Sequence, residues 1–274
     1  MYYPPAPEPF VLSSNSKLPA VFIDILRSEV SKGYCQGAQN PELGFHFHMG
    51  RRLTTLLEYQ GHWLEGLPEE VIESFSGTGN PFRLGDILPG EKDVDTGCGA
   101  GLDCIIAAKM AGADGEIIGV DMTQEMVDKA QSNVAATGAK NVTIKQGISE
   151  ELPVDDGWAD IVISNGPINL ASDKDDIFRE LNRVLKPGGR LQVADILVDK
   201  PIPKGARRNI DLWTGGIAGA LLEAELAVKL SKAGFEDFEI IWRGDIYRNA
   251  PQKSAAIDFG VMAIVYRARR STAI

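Results

Sequence analysis

The sequence predicts an α/β protein built on a mostly parallel sheet, and three observations carry that reading. Through the middle of this 274-residue chain, short apolar runs alternate with helix-length amphipathic stretches, as in repeated strand–helix–strand units. The run Ala159 to Ser164 (ADIVIS) reads as continuously apolar, which suits a parallel strand covered on both faces. Between a short strand-like run and a helix-favouring stretch lies Asp95-Thr96-Gly97-Cys98-Gly99-Ala100-Gly101. That glycine-rich turn is the kind that opens a ligand crevice at the edge of such a sheet. The expected architecture is therefore Rossmann-like. It has seven strands, the last antiparallel, with helices on both faces and a helical cap at the N-terminus.

The elements follow in order. Residues 1 to 16 are rich in proline and serine and read as extended. From Lys17 the spacing becomes helical, with Val21 and Ile25, then Phe22, Leu26 and Val30, at four-residue steps. Gly33 is expected to stop this helix. The stretch FHFHMGRRLTTLLEY, from Phe45 to Tyr59, reads as a second helix, and Leu67 to Phe75 as a third. Strands are expected near 92–95, 116–121, 142–146 and 159–164, with helices near 100–111 and 123–137 between the first three. Val127, Ala130 and Val134 give the second of those helices one apolar face, and Gly138 ends it. A helix over 173–186 begins with Asp173, Asp175 and Asp176 at its positive end. It should stop at Lys186-Pro187-Gly188-Gly189, before a fifth strand (RLQVADILV). A helix over 220–232 and two strands, FEDFEIIWR and VMAIVYRA, complete the chain as a hairpin. The expected division is residues 1–84 as extension and cap, 85–200 as the ligand-binding core, and 201–274 as a substrate-side insertion plus hairpin.

Composition narrows the function. A net charge of −10 argues against reading a nucleic-acid backbone, which needs a basic face. Three cysteines, Cys35, Cys98 and Cys104, without a Cys-x-x-Cys pair fit a reduced cytoplasmic protein and no zinc site. No metal ligand set is expected. The opening MYYPPAPEPF lacks the basic start of a secretory leader, and no apolar run reaches membrane-spanning length.

The glycine turn has a specific chemistry. Gly97, Gly99 and Gly101 remove Cβ atoms where the backbone must bend and approach a ligand. Asp95, just before them, would repel a phosphate but suits an ammonium group. Asp121, closing the second strand (EIIGVD), is placed to accept hydrogen bonds from a ribose diol. The glycine turn, Asp121, Ile148 and Asn165 all fall at carboxyl ends of predicted strands, where ligands bind in open α/β sheets. The combination favours S-adenosylmethionine over a dinucleotide.

The segments DTGCGAG, GVDMTQEMVDKA, ISEELPVDDGWADIVISN and FRELNRVLKPGGRLQVADI resemble those of class I S-adenosylmethionine-dependent methyltransferases. Within that superfamily GVDMT, SNGPINL, GTGNPF and GGIAGAL are most similar to arsenite methyltransferases, which extends the likeness from about Gly77 to Phe235. Those enzymes hold trivalent arsenic with cysteine thiolates. The resemblance puts Cys104 at one such position, but Gly166 and Gly216 stand at two others. Replacing two ligands by glycine is expected to open room for an organic acceptor. Arsenite methylation through a non-standard thiolate site is one alternative, and a non-catalytic S-adenosylmethionine-binding protein is another.

The resemblance implies that Asp95, Gly97 and Gly99 face the methionine moiety, that Asp121 holds the ribose, and that Met122 lies against adenine. It also implies that Ile148 and Ser149 meet the adenine edge, that Asn165 stands near the transferred methyl group, and that Asn80 touches the donor from the cap. S-adenosyl-L-homocysteine would be the product. On the acceptor side, His46 and His48 are candidate proton acceptors, while Tyr34, Arg51 and Trp213 are candidate contacts. The implied partner is a small-molecule methyl acceptor, with no nucleic acid or membrane, and the implied state is a monomer or homodimer.

Overall fold

The computed structural model describes residues 20–39, 49–203, 205–246 and 257–272. Seven strands form one sheet in the order β3-β2-β1-β4-β5-β7-β6. They are β1 (Lys92–Thr96), β2 (Glu116–Asp121), β3 (Val142–Gln146), β4 (Ala159–Asn165), β5 (Leu185–Val198), β6 (Phe235–Gly244) and β7 (Val261–Arg270). The first five pair in parallel. β7 runs antiparallel to both β5 and β6 and sits between them. The fold is the α/β, Rossmann-like architecture expected from the alternation of elements.

The N-terminal part carries α1 (Ala20–Gln39), α2 (Gly50–Leu56), α3 (Gly61–Leu64) and α4 (Glu69–Glu73). α1 does not stop at Gly33 but continues for six more residues. A mid-helix glycine costs only about 1 kcal/mol relative to alanine, which tertiary packing overrides. Leu26 and Val30 form the buried stripe, against Trp213 and Ala218, whereas Ile25 is 45% exposed. α4 is shorter than the Leu67–Phe75 stretch because Pro68 occupies its N-cap with an extended ψ of 142°. Beside α3 and α4, Tyr59, Trp63, Phe75 and Phe82 meet edge to face.

The core helices are α5 (Leu102–Ala111), α6 (Gln124–Thr137), α7 (Pro167–Leu170), α8 (Lys174–Val184), α9 (Ile210–Thr214) and α10 (Glu223–Lys232). α6 buries Val127, Ala130 and Val134 and ends at Gly138 in the left-handed conformation, which satisfies the helix end at little strain. α8 starts where Asp173 caps the N–H groups of Asp175 and Asp176. It packs Ile177, Leu181 and Val184 into the core beneath β4 and β5. The expected turn at Lys186-Pro187-Gly188-Gly189 is instead part of β5. The register with β4 jumps from Ala159↔Leu185 to Ile161↔Arg190, so those residues form a bulge and not a loop. No helix among the described residues is long and apolar enough to cross a membrane.

Candidate active site

The glycine turn joins β1 to α5. The N–H groups of Gly97 and Cys98 donate to the Val120 carbonyl at 2.8 and 3.0 Å, tying the turn to β2. Gly97 has φ +70°, and a Cβ there would lie 2.5 Å from the Pro167 ring, so only glycine fits. Gly99, with φ +52°, has open space where a Cβ would point. Its N–H donates to Asp121 Oδ2 at 2.9 Å, and Asp121 Oδ1 accepts from the Thr123 N–H at 3.0 Å. Burial pushes the Asp121 pKa up, and these backbone donors partly counter that shift. Asp121 is therefore fixed at the end of β2 with lone pairs left over.

A cleft of about 1030 Å³, open to solvent at its mouth, runs along the carboxyl ends of β1, β2 and β4. Gly97, Gly99, Asp121, Met122, Ile148 and Ser149 line it. Ser149 accepts a hydrogen bond from the Thr96 hydroxyl at 2.9 Å. Asn165, Gly166 and Thr78 form the opposite wall, and Leu26, Arg27 and Val30 of α1 form the roof. Arg27 reaches Glu150, after β3, at 3.2 Å and so ties the roof to the far wall.

A second, smaller cavity of about 280 Å³ shares Ser76, Gly97 and Asn165 with the cleft. Asp95 and Asp103 line it. Both are buried. Desolvation raises the Asp95 pKa well above the usual carboxylate range, and it raises that of Asp103 to about 6. Asp103 Oδ1 accepts the Tyr59 hydroxyl at 2.8 Å, and Oδ2 accepts Asn165 Nδ2 at 3.0 Å.

Asn165 is a junction. Its Oδ1 accepts the N–H groups of Thr78 and Gly79, at 2.8 and 3.1 Å. Its Nδ2 faces the Gly79 carbonyl, the Tyr59 hydroxyl and Asp103, each within 3.1 Å. It fastens the Gly77-Thr78-Gly79 segment to the end of β4 while lining both cavities. The sequence reading missed Tyr59 and Asp103. Asp103 had a local signal as an acid in the first turn of the helix behind the glycines, but Tyr59 had none.

Several expected site residues lie elsewhere. Asn80 is 1% exposed and does not line the cleft. Its Oδ1 caps the Phe82 N–H, and its Nδ2 donates to the Glu58 carbonyl. The proline after it commits Asn80 to a helix cap. Cys104 is fully buried between α5 and the sheet. Its thiol donates to Asp95 Oδ2 at 3.2 Å and packs where a Cβ on Gly119 would come within 2.7 Å. It therefore offers no thiolate to the cleft, and its hydrogen bond with Cys98, together with burial, raises its pKa. Gly166 does line the cleft, but with φ +98° at the N-cap of α7, and the Thr78 methyl fills part of the space above it. Gly216 is not among the described residues that line the cleft. Arg51 is exposed and bound by Glu69. Trp213 is buried and donates its indole N–H to the Arg207 carbonyl at 2.7 Å. His46 and His48 lie outside the described residues, as do the side chains of Tyr34 and Cys35.

The donor set fits a nucleoside carrying an aminoacyl cation. A glycine turn open at Gly99 and a pinned carboxylate at Asp121 suit the nucleoside. Two buried carboxylates in a side pocket suit an ammonium. The comparisons with known proteins agree. A methyltransferase-domain family model matches residues 87–241, more than half of the chain. The chain belongs to the S-adenosylmethionine-dependent methyltransferases. Over 164 residues it is 44% identical to an arsenite methyltransferase of Halobacterium salinarum, covering 60% of this chain and 42% of that protein. It is 34% identical over 181 residues to the arsenite methyltransferase of Homo sapiens, covering 63% and 48%. An arsenic(III) S-adenosylmethionine methyltransferase structure from Chlamydomonas reinhardtii aligns with TM-score 0.67 and 32% identity, covering 77% of this chain and 72% of that one. This methyltransferase spans about half the length of the curated relatives it matches.

Proposed function

We propose that this methyltransferase moves the methyl group of S-adenosylmethionine to a small-molecule acceptor by in-line displacement, releasing S-adenosylhomocysteine. The observation that carries the reading is a cleft at adjoining strand ends lined by the glycine turn and Asp121, with the Asp95 pocket sharing Ser76, Gly97 and Asn165 with it. When bound, S-adenosylmethionine supplies an activated methyl group on a sulfonium. The chain's task is therefore positioning and exclusion of water. Asp121 accepts from the ribose, Met122 and Ile148 pack on adenine with Ser149 at its edge, and Gly97 and Gly99 give the methionine moiety close backbone approach. Asp95 faces the ammonium end. Asn165 holds the Thr78 wall in place beside the methyl group. His46 or His48 serves as proton acceptor where the nucleophile needs one. The acceptor-facing residues Leu26, Val30 and Leu170 are apolar, which favours a small organic acceptor over nucleic acid. A cytoplasmic monomer or homodimer, with residues 1–84 acting as cap and 201–274 flanking the acceptor, completes the proposal.

Arsenite is the second reading, favoured by the names of the similar proteins. Against it, no cysteine is among the described residues lining the main cleft, the Cys98 that lines the side pocket is buried, and a trivalent metalloid needs more than one soft ligand. S-adenosylhomocysteine release with arsenite plus thiol, run beside amines, phenols, carboxylates and thiols, separates the two. Turnover of an organic acceptor is expected. Turnover of arsenite alone would overturn the organic assignment. Donor binding with no turnover of any acceptor would favour a non-catalytic binder.

A further inference from the structure

The side pocket is lined by two buried carboxyl groups. Asp95 enters from β1, and Asp103 from the first turn of α5. Asp93, two residues earlier on β1, is also buried but does not line the pocket. Among the described residues no lysine, arginine or histidine lines the pocket. Buried carboxylates without a cation are costly in a low-dielectric interior, and a positive ligand group entering the pocket removes that cost.

Asp103 is built to receive such a group. Each of its oxygens accepts one neutral donor, Tyr59 O–H on one and Asn165 N–H on the other. Those donors fix its orientation without neutralising it. A carboxylate has about four lone-pair sites, so both oxygens retain capacity toward the pocket. Asn165 and Gly97 line the pocket and the main cleft alike, so one ligand can occupy both.

We propose that Asp103, oriented by Tyr59 and Asn165, binds the cofactor's ammonium group together with Asp95. The inference rests on the S-adenosylmethionine reading above. Its consequence is selectivity for the aminoacyl end. Tyr59 follows α2 and sits 44 residues before Asp103, so the cap sets the geometry of this subsite.

The test is calorimetric titration of the full chain with two ligands, S-adenosylhomocysteine and 5′-methylthioadenosine, which lacks the aminoacyl group. In Asp103→Asn, S-adenosylhomocysteine should bind about tenfold or more weakly, the scale of losing one charged hydrogen-bond partner. 5′-Methylthioadenosine should bind as it does to the unaltered chain. Tyr59→Phe, which leaves the carboxylate but removes a donor that orients it, should weaken only S-adenosylhomocysteine, by about threefold. It carries the test if Asp103→Asn does not fold. Unchanged S-adenosylhomocysteine affinity, or equal weakening of both ligands, overturns the assignment and leaves Asp103 a structural residue. If the unaltered chain binds both ligands equally, the ammonium subsite falls while the nucleoside site stands. If it binds neither, the cofactor reading falls and takes this inference with it.

Discussion

Two buried acidic corners of the molecule differ in their counter-charge. In the first, Asp95 and Asp103 face a cavity that no lysine, arginine or histidine lines among the described residues. In the second, Asp195 on β5 shares its surroundings with Lys174, at the start of α8. Asp195 accepts the Asn169 N–H at 3.0 Å. The Lys174 ammonium donates to the carbonyls of Asn169 and Ala171 and lies 5.1 Å from the Trp213 ring centroid. Desolvation raises Asp195 to about 6, as it does Asp103; hydrogen bonds from Asn169 and the Ile196 N–H counter it most, and the attraction of Lys174 adds to them. The same desolvation lowers Lys174 to about 7. The corner that carries its own counter-charge anchors α7. The corner without one is suited to importing a cation with the ligand. A buried acid is thus informative about binding only when its neighbours are counted.

The contrast can be broken most sharply at Lys174. Lys174→Met should remove the cation and both carbonyl contacts, leaving Asp195 with only its backbone N–H donors, and should cost about 1–3 kcal/mol in a denaturant or thermal unfolding experiment. A loss below about 1 kcal/mol would mean that the second corner does not depend on its internal pair. Asp103→Asn should act in the opposite direction. With no ligand added at pH 7 it should leave stability unchanged or raise it by up to about 1–2 kcal/mol, because a carboxylate held at a raised pKa is itself a cost. Clear destabilisation would show that Asp103 serves the fold more than the ligand.

pH gives a smaller and more general check. The folded pKa values of Asp103 and Asp195, about 6, exceed the unfolded value of about 3.9. Their contribution is fully present below pH 4 and is lost as pH rises through 6. Asp95, which faces Asp103 from β1, is shifted in the same sense, and so is Tyr59, from the cap. The melting temperature should therefore fall between about pH 4 and 6, and saturating S-adenosylhomocysteine should flatten that fall by stabilising the charged carboxylates. An identical slope with and without ligand would argue against an ammonium in the first corner. The smallest effect belongs to the rim. Arg27→Ala breaks a half-exposed pair with Glu150 and should change stability by about 0.2–1 kcal/mol. A loss of several kcal/mol would make the roof part of the core.

Much of the site was legible because its signals are local. Gly97, Gly99 and Asp121 are separated by one strand and one helix, and each turn type constrains its own residues. The strand ends follow from apolar runs, which placed Ile148, while the resemblance pointed to Met122 and Ser149 beside them. Asn80 was misassigned because an asparagine before proline caps a helix or meets a ligand with the same local pattern. Which it does depends on Phe82 and Glu58. The resemblance put Cys104 at a ligand position, but α5 is apolar nearly all round, so the sequence could not say that its thiol turns into the core. The bulge in β5 was invisible because it exists only against β4.

Residue patterning specified the strand–helix alternation, the antiparallel end and the nucleoside crevice, because those depend on propensities and turns within a few residues. Tertiary structure alone assembled Tyr59, Asp103 and Asn165, which are 44 and 62 residues apart in succession. It also gave Asp195 a lysine and left Asp103 without one. Hydrogen-bond partners and dielectric surroundings are properties of packed neighbours, and these neighbours come from segments distant in the chain.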